Sequence, residues 1–106
     1  MANAQQEFVE HTQTRNILCA HIRHEPDWDE SSHQNKYLPI NYTPEQLTQF
    51  LVSLNFDYDS GYGTQRVFGY IWYTDGTWSE RYEYDGSERW SYQAQPIIPP
   101  ECNPGF

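Results

Sequence analysis

Cys19, His21 and His24, with Glu25 beside them, are the first residues whose types suggest chemistry, since together they form a fragment of a metal site. The spacing C-x-H-x-x-H is not a usual zinc pattern, and no second half with ligand spacing follows; only His33 and Cys102 are left to complete it. On a strand, Cys19 and His21 share a face while His24 points the other way. The plainer reading is a half-exposed strand end whose histidines titrate near neutral pH. Glu80 and Glu88 come next. A carboxyl group under aromatic cover can hold its proton and act as a general acid, and two of them would suit glycoside hydrolysis. The plainer role for Glu80 is an ion pair with Arg23 or Arg66, or a hydrogen bond to a tyrosine. No serine, cysteine or histidine is placed with a recognisable base, and Gly61-x-Gly63 is too short and lacks the lysine of a phosphate loop. The expectation is no catalytic residue, no metal and no cofactor.

Recognition is better supplied. The 106 residues hold nine Tyr, five Phe and four Trp, and 6 Lys plus Arg against 15 Asp plus Glu leave a net charge of −9. That balance excludes binding to a nucleic-acid backbone, which needs clustered cations. The aromatic content excludes a disordered acidic tail, and no run of about 20 apolar residues is present to cross a membrane. Acids and rings interleave in the connecting segments. Asp27, Asp29 and Glu30 surround Trp28; Asp57 and Asp59 flank Tyr58, with Tyr62 close by; Asp75 and Asp85 sit at predicted turns. These ten residues are the expected partner-binding set. Carboxylates in fixed positions mimic phosphates, and attraction to a basic groove speeds association.

The elements that position them form a single domain. Residues 1–12 are polar and expected to fray. The apolar run from Asn16 to Arg23 predicts a strand, ended by Pro26. Residues 25–41 read as a long loop. Thr43 as N-cap, Pro44 in the first helical position and Gln46 completing a capping box predict a helix. Its apolar stripe is Leu47, Phe50, Leu51 and Leu54, and Tyr42 can staple onto Leu47. Residues 57–63 read as a loop. From Gln65 to Tyr92, Asp75-Gly76 and Asp85-Gly86 punctuate a three-stranded meander. The tail over 94–106 is proline-rich. The order is β-α-β-β-β, an α+β fold with one helix on a mostly antiparallel sheet.

Register decides which rings share a face. Asp-Gly permits two-residue loops, which would pair Tyr73 with Trp78 and divide the rings between faces, or three-residue loops with Gly in the left-handed position. The expected three-residue loops pair Trp72 with Trp78, Tyr70 with Glu80, Phe68 with Tyr82 and, in the second hairpin, Tyr82 with Glu88. One face then gathers Phe68, Tyr70, Trp72, Trp78, Tyr82, Trp90 and Tyr92, and the helix stripe is expected to pack on it. Rings left over would bind a partner, or be buried against a second copy in a homodimer.

The run YIWYTDGTWSERYEYDGSERW, Tyr70 to Trp90, resembles segments of small proteins of phages and mobile elements. In size, acidity and lack of a catalytic motif the whole chain resembles the small phage proteins that inhibit bacterial defence systems, anti-CRISPR proteins among them. The resemblance implies a stoichiometric inhibitor, acting in the cytoplasm of a bacterial host on a protein partner with a basic groove, without itself touching nucleic acid or membrane. It carries over no functional residue. The alternative is a carbohydrate- or peptide-binding module built on an aromatic platform. The start of the chain lacks a basic, then apolar, secretory leader, and two cysteines far apart do not make a disulfide framework.

Overall fold

Residues 67–73 are apolar on both faces, and they form the central strand. The computed structural model of the chain describes residues 1–27, 29–59 and 64–102. In chain order it has β1 (Ala2–Asn3), α1 (Ala4–Thr12), β2 (Ile17–His24), a 3-10 turn (Glu30–Ser32), β3 (Gln34–Leu38), α2 (Pro44–Ser53), β4 (Asp57–Tyr58), β5 (Val67–Tyr73), β6 (Trp78–Tyr84), β7 (Ser87–Gln93) and a last 3-10 turn (Pro100–Cys102). Five strands form one antiparallel sheet in the order β3-β2-β5-β6-β7, and β1 with β4 makes a small separate ladder. The fold is α+β, with the expected meander in β5, β6 and β7.

Four helices and strands lie where the sequence suggests none: β1, α1, β3 and β4. Residues 1–12 are not frayed. Asn3 caps α1 by accepting from the N–H of Gln6 at 2.9 Å, and Ala4, Phe8 and Thr12, spaced one helical turn apart, are buried. The segment 25–41 is not one long loop, because Gln34–Leu38 adds an edge strand to β2. Helix α2 follows the reading closely. Thr43 and Gln46 close a reciprocal capping box, Pro44 opens the helix, and Leu54 is the C-cap. The Tyr42 ring packs against the core and its hydroxyl donates to the Ile17 carbonyl at 3.2 Å. Asp57–Tyr58, read as loop, pairs with Ala2–Asn3.

Both helices cover one face of the sheet. That face presents Ala20, Ile22, Leu38, Val67, Ile71, Tyr73 and Trp90 to Phe8, Phe50 and Leu54, and the Phe8 and Phe50 rings meet edge to face at 5.5 Å. The first hairpin has the expected register at Trp72 opposite Trp78 and Tyr70 opposite Glu80, but the ladder ends there, so the expected pair of Phe68 with Tyr82 does not form. The second does not: Tyr82 lies opposite Arg89, not Glu88, and Glu83 opposite Glu88. The loop has two residues, Asp85 at φ 53 and Gly86 at φ 83, as a type I′ turn requires. One residue of slip turns the whole of β7 over. Trp90 and Tyr92 therefore face the helices, whereas Phe68, Tyr70, Trp72, Trp78 and Tyr82 face away from them. The expectation that the helix packs on the aromatic face is overturned for the same reason: the aliphatic face is the one the helices cover.

Candidate binding surface

Strand alternation carries the uncovered face across four strands. Tyr37, His21, Tyr70 and Glu80 lie in one row from β3 to β6, and Cys19, Trp72 and Trp78 in the next. The rings stand in solvent, with exposures of 65% for Tyr37, 46% for Tyr70, 38% for Trp72, 44% for Tyr82 and 72% for Tyr84. Tyr70 stacks on Trp72 with centroids 5.7 Å apart, and Tyr37 on His21 at 4.4 Å. The face's own arginines already lie over rings, Arg23 over Phe68 at 4.8 Å and Arg89 over Tyr82 at 5.1 Å.

A cleft opens in the middle of this face. Pairing of β5 with β6 ends at Tyr70 and Glu80, and beyond it β6 pairs with β7 alone. The Glu88 carboxylate stands at the split. It accepts from the backbone N–H of Arg66 at 2.6 Å and of Val67 at 3.1 Å, and from Arg81 Nη2 at 3.1 Å. Its side chain and that of Arg81 are almost wholly buried. On the other side β5 is pressed onto β2 at Gly69, whose φ is 141 and where a Cβ would lie 2.1 Å from the His21 carbonyl oxygen. The resulting cleft has a volume of about 440 Å³ and is lined by His21, Arg23, Gln65, Phe68, Gly69, Tyr70, Glu80 and Arg81.

The two carboxylates considered for acid–base chemistry do not flank one site. Glu80 is on the open face, and Glu88 is on the helix side bound to Arg81. Arg81 also meets Glu7 at 3.3 Å and the hydroxyl of Tyr58, which in turn donates to Glu7. Burial, then the hydrogen bond to Glu7, pushes the Tyr58 hydroxyl above its ordinary range, so it stays protonated in this network. The metal fragment is divided as strand geometry requires. His21 is on the open face, whereas His24 faces the other way and stacks on Phe56 at 3.7 Å. Burial, then Lys36 and Arg66, lowers its pKa. Among the described residues no three His, Cys, Asp or Glu gather as metal ligands.

The partner-binding set is placed unevenly. Tyr58 is 5% exposed, so it is core, not surface. Trp28 and Tyr62 lie outside the described residues. The acids are exposed, but several already serve their own turns. Asp27 accepts from Ser32 Oγ at 2.6 Å and the Asp29 N–H at 2.8 Å, and these bonds hold its carboxyl below the usual range. Asp29 caps the N–H of Ser31 at 3.0 Å, Asp57 accepts from Asn3 at 2.9 Å, and Asp75 accepts from the side chain and N–H of Thr77, which lower its pKa. Glu30, Asp59 and Asp85 are exposed. Antiparallel order puts Asp27, Asp29, Glu30 and Asp85 at the end of the sheet where β2 leaves and β5 enters, with Asp75 at the far end. Tyr37, Tyr70, Trp72, Glu80, Tyr82 and Tyr84 are not in the expected set. Their signal was the alternation of Tyr70 and Trp72 with Ile71 and Tyr73 in a strand apolar on both sides.

The chain matches no protein-family model, no curated protein and no solved structure. No helix among the described residues is long and apolar enough to cross a membrane.

Proposed function

We propose that this chain is a non-enzymatic binding protein that docks on a basic surface of a protein partner, in the manner of a phage inhibitor of a bacterial nucleic-acid-handling complex. One observation carries the reading: a sheet face that neither helix covers exposes Tyr37, Tyr70, Trp72, Tyr82 and Tyr84 on a chain of net charge −9. At about 200 Å² per ring residue, these exposures amount to roughly 500 Å². The largest apolar patch of a typical monomer, about 300–600 Å², is often functional, and a stable interface needs about 800 Å² from each partner. The rings supply contact area, and the acids at the end of the sheet supply long-range attraction to a cationic partner. The phage setting comes from the resemblance of the Tyr70–Trp90 run.

The second reading is an aromatic platform for a carbohydrate or peptide, favoured by the stacked Tyr70–Trp72 pair. One experiment separates them. The chain and its Tyr70→Ser/Trp72→Ser variant are each titrated, by tryptophan fluorescence, with basic DNA-binding proteins and with neutral oligosaccharides. Response to the basic proteins that the variant loses supports docking. Response to oligosaccharides alone overturns it in favour of the platform.

A further inference from the structure

Resting on that reading, we propose that the cleft where β5 and β6 part is a receptor for an arginine side chain of the partner, with Glu80 pairing the guanidinium and Tyr70 stacking on it. Charge matching inside the cleft singles out Glu80. Arg23, on its rim, is bound to Glu25 with Nε 2.5 Å from the carboxylate, and Arg81, at its floor, is bound to Glu7 and Glu88. Among the described residues neither an ion pair nor a hydrogen bond joins Glu80 to another side chain. It is a carboxylate without a cation, half-buried beside a ring. Its register partner across the strands is Tyr70, which lines the same space and keeps nearly half its surface exposed.

The fold shows which cation suits such a place. Arg23 over Phe68, Arg89 over Tyr82, and Arg81 over Trp90 at 5.2 Å all combine a guanidinium with a ring, and the first and last add a carboxylate. A planar guanidinium can pair a carboxylate with two parallel N–H groups while its flat face lies on a ring; an ammonium, such as that of Lys36 over Phe56 at 5.9 Å, has neither the fork nor the flat face and holds such a pair less well. The cleft thus repeats, with the cation left out, an arrangement the molecule builds elsewhere from its own residues. A volume of about 440 Å³ admits one such side chain with room for its stem.

The test uses the full chain and nine-residue peptides of arginine or of lysine at physiological salt, followed by tryptophan fluorescence. The expected result is binding of the arginine peptide tighter than the lysine peptide by about threefold or more, the scale of an exposed cation–ring contact with its hydrogen bonds. Glu80→Gln and Tyr70→Ser should each abolish the preference. Glu101→Gln, which removes the same charge from the exposed tail, should leave it intact, and circular dichroism confirms that each variant is folded. Equal binding of the two peptides, or a preference that survives Glu80→Gln, overturns the arginine site while leaving docking on a basic partner in place. Absence of binding by either peptide overturns both.

Discussion

Glu88 shows at the scale of one residue how the cleft is held open. Its carboxylate satisfies two backbone donors at the start of β5 and the buried guanidinium of Arg81, and it reaches them because the type I′ turn points it toward the helices. Arg81 in turn ties β6 to Glu7 on α1 and to Tyr58 on β4, with its guanidinium 5.2 Å from the Trp90 ring centroid. Four elements, β6, β7, α1 and β4, and the mouth of β5 thus share one buried charge pair. Such a pair adds little net stability against an apolar replacement, but breaking it from one side leaves an unmatched buried charge. Glu88→Gln removes the charge and keeps the shape, so Arg81 retains only Glu7. Because Glu7 still matches Arg81, the expected loss is about 1–3 kcal/mol, that of buried donors left without their acceptor, read as a lower urea midpoint. Glu80→Gln, on the open face, should leave the midpoint nearly unchanged. The contrast separates the carboxylate that builds the site from the one that would use it.

At the scale of elements, backbone proximity decides what each glycine tolerates. A Cβ at Gly69 would overlap the His21 carbonyl oxygen at 2.1 Å in the next strand, whereas one at Gly76, φ 87, meets nothing within 4 Å. Gly76→Ala should cost only the left-handed conformation, about 1 kcal/mol. Gly69→Ala must push β2 from β5 and should cost more than about 3 kcal/mol, both measured by urea denaturation. Short-range chemistry of this kind is what a sequence displays. Thr43, Pro44 and Gln46 announce α2 because the cap is made by residues three apart. Asp75-Gly76 announces the first hairpin because the Gly can take the left-handed place that its three-residue loop needs. Asp85-Gly86 does not announce its own, because the dipeptide also fits two residues in a type I′ turn, and the choice falls to partners far away in sequence. Glu88 must reach Arg66 and Val67, and Trp90 must join the core. The aromatic surface is legible as a gathering of rings but not as the open side. Tyr and Trp tolerate water at their polar tips, while Ala20, Ile22, Val67 and Ile71 do not. Helix α1 escaped because its stripe is thin, Ala4, Phe8 and Thr12, and β3 because Gln34–Leu38 is a polar edge strand that pairing alone defines.

For the molecule as a whole, charge and rings work at different ranges. Arg15, Arg23, Lys36, Arg81 and Arg89, five of the six Lys and Arg residues, each lie over an aromatic ring, and the guanidinium of the sixth, Arg66, bonds to backbone carbonyls. The cations are thus engaged locally, and what reaches out into solvent is the excess of acids. Their field extends about 10 Å at 0.1 M salt and about 3 Å at 1 M, so it acts on the approach of a basic partner rather than on the finished contact. The rings act only after contact, when water has left the sheet face. Raising salt from about 0.05 M to about 0.5 M should therefore slow association with a basic partner by on the order of tenfold while changing dissociation little. Tyr70→Ser and Trp72→Ser, which leave the charge at −9, should do the reverse, raising the dissociation rate with association almost unaltered. Stopped-flow measurements of both rates on the chain and its variants check this. A salt effect confined to dissociation would mean that the acids lie inside the interface and the rings outside it, and the open face would lose its part in recognition.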